Sequence, residues 1–473
     1  MKKTHLLIAL FICLCTQAQI ANFPYQLDYW KPMGITIKNA FAVNTNEYML
    51  IGSVENYSPE TYPGLFTNNN TQQQWQGSYG YVRIQTDANF NVLNVSPILQ
   101  THVNLIFFKN TLNEVYFYYH NIFGKLNSNG SVAYTQQLNN INIETMAYHN
   151  GLLYGLRAQA QNVLTNVEIP GTLFVFNASN GTLLNEYLIA DPAAAEVDYL
   201  GIAVDDSGIY VMGTATYMEV ISGQPLNTTF YYTKGAFQPF QQISTNAPDH
   251  AYVGFLTKYQ LNNPNQRHWS TYLGGEGMIY AQSYEVPRNT LSIIANDLYI
   301  CYTSLHGTNI TTSGSYLENA LYGTENFLMR FSSTGNRLMG TYLNENINPL
   351  ASYSAFTEGT AALSKLILKT TYHTNFYNTT VELSPNAPYE LGSENTLIQE
   401  FNTNGEQVYA MALSNNGDIN SDVSVIAEDN GLKVFVKETA PETLTTYLTH
   451  TESLVNYMPN SKFSIANYDK RSS

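Results

Sequence analysis

The stretch FNTNGEQVYAMAL, Phe401 to Leu413, joins two apolar runs across a short polar turn closed by glycine. The same arrangement recurs in LNSNGSVAYTQQL (126–138), FNASNGTLLNEYLI (176–189) and FSSTGNRLMGTYL (331–343). Asn and Ser favour turns, and Gly130, Gly181, Gly335 and Gly405 fall where a short hairpin loop needs a residue at positive φ. One such hairpin cannot bury its apolar face alone. Copies of it must stack on their neighbours, so the chain reads as a single repeat architecture.

Working outward, each hairpin is preceded by a run rich in aromatic and β-branched residues. These runs are YMLIGSV at Tyr48, VYFYYH at Val115, LLYGLRA at Leu152, IYVMGTA at Ile209, LYICYTS at Leu298, LILKTTY at Leu366 and KVFVKET at Lys433. Variant hairpins follow the first and fourth runs, YVRIQTDANFNVLNV from Tyr81 and FLTKYQLNNPNQRHWSTYL from Phe255, with Asn89 in the glycine's place in the first. The seventh run has no hairpin. This pattern predicts an all-β fold, a single β-propeller of four-stranded blades, with seven blades expected and six or eight open. The unfinished last unit needs strands from the chain ends, either FPYQLDYW (Phe23 to Trp30) or ETLTTYLTH (Glu442 to His450). TAALSKLILKTT from Thr360 has good helix formers, but its place in the repeat makes LILKTTY a strand. The expected division is a signal peptide at 1–19, the propeller at 20–450 and a C-terminal tail at 451–473.

The leader reading rests on Lys2 and Lys3, the short apolar stretch Leu6 to Cys15, and the small polar Thr16-Gln17-Ala18-Gln19. It predicts export of a soluble chain, with no membrane insertion after its removal, to the periplasm, cell surface or exterior. Losing the two lysines moves the formal charge from −15 to −17, which argues against a nucleic-acid partner. Charged residues are only 12% of the chain, so Tyr, Asn, Thr and Ser carry its polarity. Cys301 alone follows the leader, so no internal disulfide is available and packing must supply the stability.

Local signatures of hydrolases and nucleotide enzymes are missing from the sequence, and no cofactor is expected. His102, His149 and His268 stand at no metal-ligand spacing and read as turn or strand-end residues. Asp87 to Asn91 and the set Asp418, Asn420 and Asp422 alternate oxygen ligands suited to calcium; in the first, the hairpin already accounts for Asn89. Asp205-Asp206-Ser207-Gly208 reads as a turn between strands, and Cys301 as a buried thiol. Tyrosine, with 37 copies, suits both sheet packing and ligand stacking; most copies are expected in core or inter-blade packing, with the few that contact a ligand concentrated in the long insert Tyr217 to His250.

In the fourth unit GIAVDDSGIYVMGTAT (from Gly201), KGAFQPFQQ (from Lys234) and AYVGFLTKYQLNNPNQRHWSTYLGG (from Ala251) together resemble the bacterial β-propeller repeat abbreviated SBBP. Fragments recur as PGLF at Pro63 with GYVRI at Gly80, and as SGSY at Ser313 with NFLMRF and GTYL. The resemblance implies a propeller in an exported protein of Bacteroidetes type, and no single activity. Lys462-Phe463-Ser464-Ile465 is similar to the opening of a type IX sorting domain, without the rest of that domain. The function expected is a non-enzymatic binding or adhesion scaffold for a glycan or envelope protein. The alternative is an exported carbohydrate-active enzyme, hydrolase or lyase, with carboxylates gathered from several blades at one mouth of the channel.

Overall fold

A computed structural model describes residues 27–30, 35–54, 79–218, 230–238, 250–273, 290–305, 310–319, 324–343, 352–357, 365–372, 394–415, 423–428, 431–438 and 462–469, apart from 45, 89–91, 102, 129, 140 and 163–166. The described residues build seven four-stranded antiparallel sheets. After β1 (Leu27–Trp30), the first sheet takes β2 (Ile35–Asn44), β3 (Glu47–Val54), β4 (Gly80–Asp87) and β5 (Val92–Gln100). The second takes β6 (Ile106–Lys109), β7 (Val115–Tyr119), β8 (Ile122–Leu126) and β9 (Val132–Gln137). The third orders β10 (Thr145–His149), β11 (Leu152–Arg157), β14 (Thr172–Asn177) and β15 (Leu183–Leu188), with a two-stranded ribbon of β12 (Ala160–Asn162) and β13 (Val167–Ile169) inserted. The fourth holds β16 (Glu196–Asp205), β17 (Gly208–Met218), β18 (His250–Tyr259) and β19 (Arg267–Leu273). The fifth holds β20 (Leu291–Ile294), β21 (Asp297–Leu305), β22 (Thr324–Phe331) and β23 (Arg337–Tyr342). In the sixth are β24 (Ser352–Phe356), β25 (Leu366–Tyr372), β26 (Glu394–Phe401) and β27 (Gln407–Asn415).

Those six sheets each come from one stretch of chain. The seventh combines β28 (Val423–Glu428) and β29 (Gly431–Glu438) with β30 (Lys462–Asp469) and the N-terminal β1, in the order β28-β29-β30-β1. Leu27 pairs with Ala466 and Trp30 with Phe463, while β28 and β29 pack against β2. Both chain ends thus finish one blade of a closed β-propeller, which limits exposed sheet edges. The N-terminal donor is the expected FPYQLDYW. The C-terminal donor is KFSIANYD, within the residues assigned to the tail, because an inner position needs a segment paired along both edges: β30 pairs β29 along its whole length and β1 from Phe463 to Ala466. Glu442 to His450 lies outside the described residues.

The seven apolar runs of the sequence are β3, β7, β11, β17, β21, β25 and β29, the second strand of each blade. Neighbouring sheets press on both faces of such a strand, so its side chains are buried with little alternation, as β3 and β7 show. Shared cores fill the seams. Phe41 and Phe107 join the first and second sheets, Tyr118 and Phe174 the second and third, and Tyr210 and Phe327 the fourth and fifth. Ile426 joins the seventh sheet to Ile35 and Leu50 of the first.

The recurring hairpin joins the third strand to the fourth. Gly405 donates to Asn402 O at 3.0 Å and Asn402 N–H to Glu406 O at 3.0 Å, with Gly405 at φ 81°. Pairing slips between Glu400 and Phe401 just before the turn, the geometry of a bulge closed by a left-handed glycine. The turn also latches onto the preceding sheet. Arg83 donates to Ser128 O at 2.8 Å, Gln136 to Asn180 O at 3.0 Å, Trp269 to Ser333 O at 3.0 Å and Arg330 to Thr403 O at 3.1 Å. The absent side chain matters at these latches: a Cβ on Gly335 would lie 2.7 Å from the Trp269 ring.

Candidate functional site

Strand order decides where the unequal inserts sit. In each blade the turns from first to second and from third to fourth strand fall at one end of the sheet. The connection from second to third strand, and the crossing to the next blade, fall at the other. Tight hairpins such as 205–208 and 402–406 therefore share one end of the ring. Segments 55–79, 158–171, 219–249, 306–323, 373–393 and 439–461 leave and re-enter the sheets at the opposite end. A rigid ring with its variable connections gathered at one end is the arrangement in which loops take on binding.

The best-defined part of that end is the seam between the third and fourth sheets. Asp191, buried in the crossing between them, accepts from Tyr217 Oη at 2.8 Å on Oδ2 and from Ala193 N–H at 2.9 Å on Oδ1. Gln159, also buried, donates to Ala194 O at 2.6 Å, and Tyr259 Oη donates to Ile189 O at 3.0 Å. Tyr231, from the insert, lies flat on Phe255 with centroids 3.8 Å apart and an interplanar angle of 9°. Burial, then the neighbouring Tyr231 and Asp191, push the Tyr217 hydroxyl far above its ordinary range, so it stays a donor. Both tyrosines therefore follow the expected packing role of most tyrosines in this chain. Tyr217 and Tyr231 are fully packed because they anchor the loop to the ring.

Two of the segments that carry the repeat resemblance, those around Lys234 and Ser313, finish the outer edge of their own blades, while PGLF at Pro63 lies outside the described residues. Thr233 N–H donates to Ser270 O at 3.1 Å, Gln238 N–H to Thr271 Oγ1 at 2.8 Å, and Tyr272 N–H to Gln238 O at 3.2 Å. One blade on, Thr312 bonds Gly340 O at 2.9 Å, Leu317 bonds Thr341 Oγ1 at 3.0 Å, and Tyr342 bonds Leu317 O at 3.1 Å. Each strap also reaches forward, since Phe237 meets Phe331 at 5.7 Å and Tyr316 meets Phe401 at 5.8 Å, both edge-on. The motif's aromatic is thus an inter-blade wedge and its polar backbone an edge cover. Spacing along the chain carried no sign of this role.

The remaining candidates fall to structural positions. Asp418, Asn420 and Asp422, with Asn89 to Asn91 and His102, lie outside the described residues. Asp205 Oδ1 accepts from Ser207 N–H at 2.8 Å and Gly208 N–H at 3.1 Å, which caps the turn, and Asp206 Oδ1 lies 3.0 Å from His149 Nε2 of the neighbouring sheet. His268 is exposed on β19. Tyr116, Phe117 and Tyr118 are buried, Tyr116 stacking between Phe108 and Tyr148 at 5.5 and 5.7 Å. Cys301 is fully buried in β21, and desolvation pushes its thiol well above the ordinary range. In a chain carrying Cys13→Ser and Cys15→Ser, a thiol reagent is therefore expected to leave the folded protein unlabelled and to react fully in denaturant; labelling at equal rates in both conditions would refute this burial. Among the described residues no group of three or more His, Cys, Asp or Glu is placed to hold a metal ion.

No family model matches the chain, and no curated protein does. Solved structures similar in overall course include BamB from Moraxella catarrhalis, at 7% identity and TM-score 0.35 over 94% of this chain and 100% of that one. The WD40 domain of SCAP from fission yeast is 10% identical with TM-score 0.34, over 95% and 99% of the two chains. The endosialidase of phage phi92 is 9% identical with TM-score 0.34, over 94% and 69%. Nothing about what those proteins bind or catalyse transfers at such values. The propeller stands on this chain's own sheet order and register.

Proposed function

We propose that this protein is an exported, non-enzymatic propeller scaffold that binds a glycan or a protein of the cell envelope at its insert-bearing end. The observation that carries the reading is topological: every long connection from a second to a third strand attaches at that one end, on blades locked by buried seams. The Asp191 cluster and the two straps support it by holding the feet of the inserts in fixed positions. Export is supported by the leader at 1–19 and by the repeat-like segments of the fourth and fifth blades, and the acidic charge disfavours nucleic acid.

A glycan array probed with the chain from residue 20 onward, alongside capture of envelope proteins, tests the reading, with product analysis on any polysaccharide retained. Retention without change in the polysaccharide is the expected result. New reducing or unsaturated ends would show a carbohydrate-active enzyme instead.

A further inference from the structure

The outermost strands of the ring finish their free edges differently. Straps 233–238 and 312–317 cover β19 and β23, which are buried from Trp269 to Leu273 and from Met339 to Tyr342. In the third blade the equivalent connection goes elsewhere: it forms the β12–β13 ribbon and pairs Gln159 with Val197 of the inner strand β16. Among the described residues no segment pairs the outer strand β15 on its free edge, and Leu183, Leu184 and Leu188 are exposed by 46%, 47% and 67%. This strand also lacks the proline that interrupts the edge strand β5 at Pro97.

Register identifies the groups on that edge. The slip at Lys258/Tyr259 in the fourth blade corresponds to the slip at Val175/Phe176 in the third, so Ser270 matches Glu186 and Tyr272 matches Leu188. Ser270 C=O and Tyr272 N–H are the groups that β19 turns outward to its strap. Glu186 and Leu188 present the same groups on β15, in an exposed strand, with side chains on one face as the period of two requires.

We propose that β15 takes an extended segment of another protein as an added strand, one that sets a lysine or arginine beside Glu186 and an apolar residue beside Leu188. The chain itself covers the equivalent edge in two other blades, so the geometry accepts such a segment. Charge selects its chemistry. Arg157 lies over Phe174, the residue paired with Glu186, and donates through Nε and one terminal nitrogen to Pro170 O and Thr172 Oγ1; its charge acts on Glu186 only through space, and Glu186 remains exposed to a second cation. Two copies of this chain paired about Glu186 would oppose like charges, each on a chain of net charge −15. This edge lies on the outer rim, so its occupancy is independent of binding at the insert-bearing end.

The test is fluorescence anisotropy with short synthetic peptides of alternating pattern, identical except for Lys or Glu at the position facing Glu186. The full chain is expected to bind the Lys peptide about fivefold more tightly than the Glu peptide, and Glu186→Lys to reverse that order. Leu188→Pro, which removes an outward N–H, should lose both. Leu188→Ser keeps the N–H, adds no charge, and should weaken both if the proline variant fails to fold. Equal binding of both peptides, or none, overturns the proposal. A dimer in sedimentation that Leu188→Pro dissolves would also overturn it, in favour of a second copy.

Discussion

Tyr231→Ala is expected to lower the unfolding free energy by about 3–5 kcal/mol, the cost of removing a large aromatic from a closed core. The ring lies 3.8 Å from Phe255 and is fully buried at the seam of the third and fourth blades, among Tyr199, Tyr217, Tyr259 and Tyr272. No small shift of a strand can refill that space, since the surrounding side chains belong to sheets held in register. Tyr231→Phe keeps the stacked area and gives up a hydroxyl that accepts only a long contact from Asp191 N–H at 3.4 Å, so it should cost about 1 kcal/mol or less. Urea unfolding of the three proteins checks this through midpoints at constant slope. A loss below 1 kcal/mol for the alanine variant would mean that the insert is not seated on Phe255.

Gly335→Ala is expected to cost about 2–5 kcal/mol, from two sources that can be separated. A non-glycine residue at φ 88° loses about 1–2 kcal/mol, and crowding of a packed neighbour adds about 1–3 kcal/mol. The neighbour here is the Trp269 ring, 2.7 Å from the new Cβ and tied to Ser333 O, which leaves it little room to yield. Gly151→Ala supplies the reference, because its φ of 80° is similar and nothing lies within 4 Å of the added atom. Gly405→Ala should fall between the two, since it meets the flexible Met339 side chain. Equal losses at Gly335 and Gly151 would refute the inter-blade latch.

These two sites mark how far the sequence could be read. The hairpin glycines and the second strands were legible because their causes are local: a turn needs positive φ at one residue, and a strand pressed on both faces needs an unbroken apolar run. The first strands were harder to see. β6 and β20 are only four residues long, IFFK and LSII, too short to show a period. Asp191 stands before Pro192 with no motif around it, and its partner Tyr217 lies 26 residues away, so no spacing marks the pair. The straps were visible as a motif, but their work as edge cover and wedge was not, because Phe237 acts on Phe331 of the next blade.

By itself the sequence determined an all-β repeat, its hairpins, its buried second strands and the need for the chain ends to finish the last unit. Turn chemistry and apolar runs act over a few residues, and a ring cannot end on half a blade. The tertiary structure alone decided that the inserts share one end, that Lys462 to Asp469 supplies the third strand of the closing sheet, and that, among the described residues, β19 and β23 are covered while β15 is not. Each of these depends on which strands become neighbours, and that is settled by packing between segments tens to hundreds of residues apart.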